Sequence, residues 1–385
     1  MIPQIPNRIQ RQHEERRWTS EKWFWVAPLL ALCLLLIASL PRWLEPSSRG
    51  KSVREWFEEA LNDTTPRTDI IQAFAQMEGR TVPFLIRRLN PHPSGLDKAR
   101  QLALNLLPKR LDRILGSPRP ESYYSWRCMT ALEMLGYVGT TQRLNLDSRQ
   151  PTRKPSVAKA VPRIRALLSD DSPSIRSQAA QALWFIGPPA APAIPELIRL
   201  AADANEKAST PAVQAFGLIG PAASNAVELL SQIARSDRRD RLGAIQSLGL
   251  IGQAARSATP ALVSLLNDED DQIRVAAARA LAHCGETPDA ATPTLAAMLQ
   301  HTNEWWRIVA TLALWNRNPN DAGLTEALGK ALHSTNRGPL AYSLAYLGTN
   351  AAPFLPQLKE LADDPDPHIR RFSRIALRRI QTSKP

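Results

Sequence analysis

One sequence pattern recurs with a nearly fixed period in the C-terminal part of the chain. Each copy contains an Arg, a run of small residues, a Leu four residues before the end, and a final glycine. The steps between these glycines, from Gly187 to Gly285, are 33, 32 and 33 residues. A fixed period of this length is typical of stacked repeats, so it restricts the fold more than any local motif. The clearest copies are PSIRSQAAQALWFIG (173–187), RRDRLGAIQSLGLIG (238–252) and DQIRVAAARALAHCG (271–285).

The second half of each copy has the spacing of an amphipathic helix. Ile273, Ala277, Leu281 and Cys284 fall on one helical face, because they are spaced i, i+4, i+8 and i+11. Gly285 is predicted to end this helix, since glycine readily adopts the left-handed conformation that follows a helix. The same pattern predicts helix ends at Gly139, Gly187, Gly220, Gly252 and Gly348.

The first half of most copies begins with a proline, as in TPALVSLLN (259–267) and TPTLAAMLQ (292–300). Proline is favoured at the first helical position, which explains much of the total of 32 prolines. Thr259 and Thr292 precede two of these prolines, and we expect their hydroxyls to cap the helices. Each copy is therefore predicted to be a helix, a short acidic turn, a second helix and another turn.

A single helix pair of this kind cannot bury its own apolar face, so neighbouring pairs must stack. About ten units fit between Ser52 and Ile380. The units are regular over 157–381 and degenerate over 52–139, with a basic insertion loop at 140–156. The sequence therefore predicts an all-α fold, an α-solenoid of helical hairpins that ends in a basic cap.

The repeat resembles the HEAT repeat, in particular the short HEAT-like repeats of phycobilisome lyases. The shared pattern is P-x-L-x-x-L-[LA], then D-x-x-x-x-[IV]-R-x-x-A-x-x-A-L-x-x-[IC]-G, as in 260–285. The resemblance implies that an Asp after the first helix and an Arg early in the second form a ladder between adjacent repeats. Direct contact with a ligand is the alternative role of these arginines. Ser209 replaces the Arg in one unit, where a weaker link is expected. The ladder positions are Arg100, Arg176, Arg241, Arg274, Arg307, Arg337 and Arg370, with Asp170, Asp268 and Asp364.

An uncharged segment near the N-terminus, WFWVAPLLALCLLLIASL (23–40), is flanked by tryptophans. As a helix it would span about 27 Å, close to the roughly 30 Å of a bilayer's hydrocarbon core. We interpret 23–43 as one transmembrane helix between a basic leader (1–22) and a linker (44–51). A cleaved signal peptide and a buried helix are the alternatives. The basic residues are slightly more numerous before the segment than after it, which favours a cytoplasmic N-terminus and an extracytoplasmic solenoid.

The sequence contains none of the catalytic motifs GxxxxGK[ST], GxSxG and HExxH. HEAT-like hydroxylases bind iron through His-Glu pairs within the repeats, whereas the one such pair here, His13–Glu14, lies in the leader. The three cysteines are too dispersed for a disulfide framework or a metal site. His301 and His333 are expected in exposed turns of consecutive units, with metal binding as the less favoured alternative. We therefore expect no cofactor and no enzymatic activity.

The second helices are expected to line the concave surface of the solenoid, where a partner would bind. Positions opposite the apolar stripe are predicted to be exposed, among them Leu250 and Trp315. Trp305 is either an exposed contact residue or a residue packed on its own turn. A scaffold should present a long open groove, whereas an enzyme should contain a deep pocket with clustered ionisable groups. The candidate partner-binding residues are Gln181, Phe185, Gln246, Arg279, His283 and Trp305.

The net charge of +12 is compatible with an acidic protein partner, an anionic membrane surface or a nucleic acid. An arginine cluster near the C-terminus is expected to be a solvated cap, with contact to anionic lipid as the alternative. We interpret the chain as a membrane-anchored HEAT-repeat scaffold that binds protein partners. The alternatives are a HEAT-like enzyme of the lyase type and a binder of nucleic acid or anionic lipid; nucleic acid is disfavoured, and no small-molecule substrate is evident. The cluster comprises Arg370, Arg371, Arg374, Arg378 and Arg379.

Overall fold

The described part of the chain is almost entirely helical, as the repeat predicted. The predicted leader, the predicted transmembrane segment (23–43) and Arg100 lie outside the described residues. Within the described ranges, no helix has both the length and the apolar character that crossing a bilayer requires. The computed structural model describes residues 47–95, 97–98, 120–145, 156–203, 207–285 and 287–382.

A small antiparallel hairpin lies in the region predicted to be a linker. Strand β1 (Ser47–Ser48) pairs with β2 (Lys51–Ser52), with Ser47 opposite Ser52 and Ser48 opposite Lys51. Arg49 and Gly50 form the turn and have positive φ angles of 52° and 78°. Two consecutive positive φ angles are typical of the tight turns that join antiparallel strands.

Three helices follow the hairpin. Ser52 caps the first of them, because its hydroxyl accepts from the Glu55 N–H while the Glu55 carboxylate accepts from the Ser52 N–H. The indole N–H of Trp56 donates to the carbonyl oxygen of Ser48 at 3.0 Å, which packs the hairpin onto this helix. The three helices are α1 (Val53–Asn62), α2 (Arg67–Gln76) and α3 (Glu78–Ile86).

Helix α4 (Glu121–Asn145) continues past the glycine that was predicted to end it. Gly139 does not adopt a positive φ, and a Cβ atom there would lie 2.9 Å from Cγ1 of Ile186. The absent side chain therefore allows a close approach to the next second helix. The predicted helix end is wrong because this glycine serves packing rather than termination. Residues 140–145 of the predicted loop are helical, and 146–155 lie outside the described residues.

Seven successive helix pairs occupy the described part of 156–382. From α4 to α14, each second helix packs against the second helix of the next pair, and the last two second helices pack on each other in the same way. The pairs are α5 (Val161–Leu167) and α6 (Pro173–Ile186), α7 (Ile194–Ala202) and α8 (Ser209–Ile219), α9 (Val227–Ala234) and α10 (Arg241–Ile251), α11 (Thr259–Ser264) and α12 (Asp271–Cys284), α13 (Thr292–Met298) and α14 (Glu304–Arg317), α15 (Ala322–Ala331) and α16 (Arg337–Leu344), and α17 (Leu355–Leu361) and α18 (Pro367–Thr382).

The core of the solenoid consists of the predicted apolar stripe. Ile273, Ala277, Leu281 and Cys284 are all buried, and the same register is buried in the neighbouring pairs. Burying apolar area contributes about 25 cal/mol per Å², so the stacked stripes stabilise the fold. The solenoid has one continuous core rather than separate cores in each pair.

The helix termini agree with the predictions in part. Gly187, Gly220, Gly252 and Gly285 all follow second helices with positive φ. Of these four, Gly285 has the predicted left-handed helical conformation, whereas the ψ angles of the other three lie between −133° and −145°. Thr259 and Thr292 do not cap α11 and α13, because each is the first residue of its helix. The 3₁₀ segments Gly252–Ala258 and Asp289–Ala291 run directly into these helices, so no side-chain cap is made. The capping prediction is wrong for this reason.

Side-chain hydrogen bonds to backbone carbonyls also join consecutive second helices. The donor and acceptor are 34 residues apart in three of these bonds, which is about the length of one repeat. The bonds run from Ser247 to the Val213 oxygen at 2.8 Å, from His283 to the Gly249 oxygen at 3.2 Å, and from Asn316 to the Ala282 oxygen at 3.0 Å.

Candidate functional site

In α10 and α12, the residues six and two positions before the final glycine face the C-terminal helix pairs. These positions are Gln246 and Leu250 in one pair, and Arg279 and His283 in the next. All four residues line the same internal cavity. Three of the predicted partner-binding residues are therefore brought together, in neighbouring repeats.

The last two helix pairs fold back across this inner surface. The ring of His283 stacks on the ring of Tyr346, with centroids 4.6 Å apart and planes 11° apart. The guanidinium of Arg379, in α18, lies 4.6 Å from the centroid of the same tyrosine ring. The inner surface is therefore partly covered over this stretch. The C-terminal helices face it and leave two adjoining cavities that are partly open to solvent.

The larger cavity has a volume of about 880 Å³. One wall contains residues near the ends of three consecutive second helices, at Pro188, within 217–221 and within 250–254. The opposite wall contains residues within 342–350 and one face of α18. The cavity thus runs along the solenoid across three repeats, between the inner surface and the C-terminal pairs.

Three arginines from α18 line this larger cavity: Arg371, Arg378 and Arg379. Together with Phe372 and Ile375 they have the spacing of a single helix face. Among the described residues that line the cavity, none is Asp or Glu. The Nε of Arg371 is buried and has no hydrogen-bond partner within the described ranges. One wall of the cavity is therefore strongly basic and contains an unsatisfied donor.

The smaller cavity, of about 300 Å³, shares Leu250, Tyr342 and Phe372 with the larger one. Burial lowers the pKa of Arg279, which lines the smaller cavity, from its ordinary value. The hydroxyls of Tyr342 and Tyr346 form a hydrogen bond of 2.8 Å. Burial raises the pKa of Tyr346, so its hydroxyl stays neutral at physiological pH.

His283 is buried, with 3% of its surface exposed, so the prediction that it is an exposed contact is wrong. The reason is that its helix faces the C-terminal pairs instead of solvent. Nδ1 faces the Gly249 oxygen at 3.2 Å and therefore carries the proton. Nε2 remains a buried acceptor without a partner in the described part of the chain. Burial, together with the charge of Arg279, lowers the pKa of His283 to about 3, so the ring is neutral.

The other predicted partner-binding residues lie outside the two cavities. Phe185 is half-buried and stacks on Tyr137 with ring centroids 5.8 Å apart, and Gln181 lies one turn before it in α6. Trp305 is half-buried against the core. Trp315 is fully buried and donates its indole N–H to Thr325, so its predicted exposure is wrong.

Arg241 and Arg337, both predicted ladder residues, link adjacent repeats. Arg241 pairs with Asp268, and the Nε of Arg337 lies 3.0 Å from the Asp364 carboxylate. The hydrogen bond from Arg337 lowers the pKa of the Asp364 carboxyl. Asp170, the third predicted acidic position, accepts from the Ser172 N–H of its own turn at 3.0 Å.

Four of the predicted ladder arginines close the turn of their own helix pair. Arg274 donates to the carbonyl oxygens of Asp268 and Glu269 at 2.6 and 3.1 Å. These carbonyl groups lie just after the first helix of the pair, and that helix supplies no N–H to them. The ladder role predicted from the resemblance is therefore replaced here by a contact within the repeat. The same bonds, to carbonyls five and six residues earlier, are made by Arg176, Arg307 and Arg370.

A different arginine supplies the link between repeats at Ser209, where a weaker one was expected. The Nη2 of Arg238 lies 2.6 Å from the Ser209 hydroxyl and 2.8 Å from Asp240. It also donates to the carbonyl oxygen of Ala201 in the preceding pair at 2.9 Å. Asp240 is buried and accepts from Ser209 at 2.7 Å.

The predicted basic patch is divided between two surfaces. Arg370 closes its own turn, and Arg374 is exposed and donates to the Ala362 oxygen at 3.2 Å. Arg371, Arg378 and Arg379 instead line the larger cavity. The same short helix therefore has one arginine face toward the preceding turn and another toward the cavity.

The geometry gives no indication of a metal centre in the described ranges, where no three His, Cys, Asp or Glu side chains are placed to hold an ion. His301 stacks on Trp306 with centroids 4.0 Å apart, and His333 is exposed. Burial raises the pKa of the Cys128 and Cys284 thiols to about 12, so both are protonated at neutral pH.

Three aromatic residues of the site, Tyr342, Tyr346 and Phe372, were not predicted. Counting back six and two residues from Gly348 selects both tyrosines, so the repeat register contained this signal. No such signal indicates that α18 turns arginines toward the inner surface. That orientation depends on how tightly the whole solenoid winds.

The HEAT repeat family matches residues 226–315 of the chain. No curated protein matches. Among solved structures, an engineered protein from a structural genomics consortium is 21% identical, with a TM-score of 0.43 and coverage of 86% of this chain and 94% of that chain. YibA of Escherichia coli is 18% identical, with a TM-score of 0.35 and coverage of 75% and 98%. A designed armadillo repeat protein is 17% identical, with a TM-score of 0.31 and coverage of 63% and 99%.

Proposed function

We propose that this chain is a HEAT-type scaffold that binds an extended segment of a protein partner in its larger cavity. The observation that carries the proposal is the shape of that cavity, which runs along three repeats rather than forming a compact pocket. Adjacent packed helices lie about 9 Å apart, so three repeats span roughly 18 Å.

The length of the cavity fits one extended chain. The cavity has a volume of about 880 Å³ and runs along three repeats, roughly 18 Å. At about 3.3 Å per residue, the cavity accommodates five to six residues of extended peptide.

The lining offers the two kinds of contact that an extended peptide requires. The side chains of Gln253, Thr349 and Asn350 can donate to and accept from a peptide backbone. Leu250 and Phe372 provide apolar surface for alternate side chains. This combination supports recognition of a peptide more than it supports a reaction, which would need a nucleophile or an acid–base pair in the same space.

Photo-crosslinking tests this proposal. A photoreactive residue at position 250 faces the cavity, whereas one at Gln232, an exposed residue of α9, faces away from it. We expect position 250 to give discrete partner adducts in cells, and position 232 to give none of the same mass. Equal labelling from both positions, or no adduct at position 250, would contradict binding in the cavity.

We further propose that residues 23–43 hold the scaffold in a membrane, with the solenoid on the extracytoplasmic side. The support is the uncharged run 23–40 within that segment and the tryptophans that flank it. The full chain should remain in the membrane pellet after carbonate extraction, and a variant that lacks residues 1–46 should be released. Protease added to intact cells should digest the solenoid; a protected solenoid would overturn the orientation.

A further inference from the structure

We propose that the bound segment is the C-terminal end of a partner protein, and that its terminal carboxylate pairs with Arg279 in the smaller cavity. This inference rests on the proposed function and specifies which part of the partner is bound. The two cavities adjoin through Leu250, Tyr342 and Phe372, so a chain that lies in the larger cavity can continue into the smaller one.

The unpaired charge of Arg279 is the first argument for a carboxylate. In the part of the chain that the structure describes, Arg279 makes no hydrogen bond and no ion pair. It is the one charged side chain among the described residues that line the smaller cavity, since His283 is neutral. Burial lowers the pKa of Arg279, yet a guanidinium keeps its proton at neutral pH. A half-buried charge without a partner is costly, so a carboxylate from a ligand offsets a penalty of the free protein.

The apolar walls beside Arg279 indicate what the carboxylate is attached to. Ile245 and Ala276 line the smaller cavity on the repeat side, and Pro339 and Phe372 line it on the side of the C-terminal pairs. At the end of a peptide, the carboxylate and the last side chain are attached to the same Cα atom. The carboxylate of an internal Glu or Asp has no apolar group beside it. A space of about 300 Å³ that combines an arginine with apolar walls therefore fits a C-terminal residue with an apolar side chain.

His283 supplies a second polar feature of the smaller cavity. It lies one turn after Arg279 in α12 and also lines that cavity. Its Nδ1 is used by the Gly249 oxygen, whereas Nε2 is a buried acceptor without a partner among the described residues. A C-terminal residue has both a carboxylate, which accepts from Arg279, and a backbone N–H, which matches this unsatisfied acceptor.

A small carboxylic acid with an apolar group would offer Arg279 the same contact. The continuity of the two cavities favours a chain end, because a peptide occupies both of them and a small acid leaves the larger one empty. Arginine suits either source, since its planar guanidinium can bind a carboxylate through two parallel hydrogen bonds.

Binding of one octapeptide in two forms to the full chain in detergent tests this inference. The peptide is acetylated, alternates Gln and Leu, and ends in Leu. One form has a free C-terminal carboxylate and the matched form a C-terminal amide, each with an uncharged dye near its N-terminus for fluorescence anisotropy. We expect the free acid to bind at least about tenfold more tightly than the amide. Arg279→Gln should reduce the affinity for the acid to that for the amide, and leave the amide unaffected.

Three further variants serve as controls. Arg239→Gln removes the same charge from an exposed site between α9 and α10 that lines neither cavity, and it should change neither affinity. Gln246→Trp, at an exposed residue that lines the smaller cavity alone, should also remove the preference for the free acid. Leu218→Trp, which fills the larger cavity alone, should weaken binding of both forms. An equal loss of preference in Arg239→Gln would show a nonspecific charge effect and overturn the inference.

The outcomes separate the two proposals. Equal affinities for the acid and the amide, both lowered in Leu218→Trp, would overturn the C-terminal assignment and leave the scaffold function standing. A preference for the acid that persists in Arg279→Gln would place the carboxylate elsewhere and overturn the assignment as well. Binding of neither form, or binding that is unchanged in Leu218→Trp, would contradict the function itself. If N-acetyl-leucine bound through Arg279 in calorimetry while neither peptide form bound, the ligand would be a small acid and the inference would be wrong.

Discussion

At the scale of single residues, the neutral imidazole of His283 links three parts of the molecule. Its Nδ1 donates to the carbonyl of Gly249 in the neighbouring second helix, and its face stacks on Tyr346 from the C-terminal pairs. Arg279 and Arg379 add positive charge around the ring, which together with burial disfavours the imidazolium. Protonation of His283 therefore opposes the folded arrangement.

This arrangement predicts a specific loss of stability in mild acid. The pKa of His283 is about 3 in the folded chain and about 6.5 in the unfolded chain. Between these values the unfolded state binds a proton that the folded state does not, so stability falls as the pH falls below about 6.5. Urea unfolding should be measured at pH 7 and at pH 5 for the wild-type chain and for His283→Phe. The free energy of unfolding should fall by about 2 kcal/mol less in the variant than in the wild type. His368→Phe, at an exposed position of α18, is the control; the same effect from both variants would refute the assignment to His283.

The turn-closing arginines predict a second effect at the residue scale. Replacing Arg274 with Gln removes the donor to the carbonyls of Asp268 and Glu269, and we expect a cost of about 1–3 kcal/mol in the free energy of unfolding. Arg199→Gln should change it by less than about 0.5 kcal/mol, because the Arg199 side chain is 69% exposed. Similar values for both variants in denaturant titrations would mean that the contacts within the turn contribute no stability.

At the scale of elements, the spacing of consecutive second helices depends on glycines that permit close contact. A Cβ atom at Gly217 of α8 would lie 2.9 Å from Cδ1 of Leu250 and 3.0 Å from Cα of Ser247. Since one of these atoms belongs to the backbone, a side chain at this position forces α8 and α10 apart. The repeat therefore uses glycine inside helices as well as after them.

Gly217→Ala should reduce the free energy of unfolding by about 1–3 kcal/mol, the usual cost of overpacking. The matched control is Gly243→Ala in the neighbouring helix α10, where the nearest atoms to a Cβ lie at 3.8 Å. This control should be neutral or stabilising by up to about 1 kcal/mol, because alanine favours the helix. A stable Gly217→Ala protein would show that the helices are less closely packed than described.

The buried face and the end of a helix could be predicted from the sequence where they depend only on residues close by in the chain. The stripe of Ile273, Ala277 and Leu281 follows directly from helical periodicity, and the glycine ends from backbone conformation. The sequence prediction failed where packing or a neighbouring segment replaced the local rule. Gly139 looks like a helix end and serves a helix contact, and Thr259 looks like a cap although a 3₁₀ segment runs into its helix.

At the scale of the whole molecule, the cavities exist because the solenoid winds tightly enough for its last two pairs to face earlier ones. The winding is the sum of small rotations between neighbouring repeats. No single residue determines it, so the enclosure of the inner surface was not predicted. The sequence did identify Gln246, Arg279 and His283 as inner-surface residues, because their register depends only on the repeat.

Crosslinking within the free chain tests the fold-back, on which the proposed binding site depends, most directly. A photoreactive residue at position 250 should form crosslinks with residues of α16 or α18, identified by peptide mass spectrometry. Crosslinks from position 250 that reach only adjacent repeats in the free chain would contradict the enclosed cavity and the site built on it.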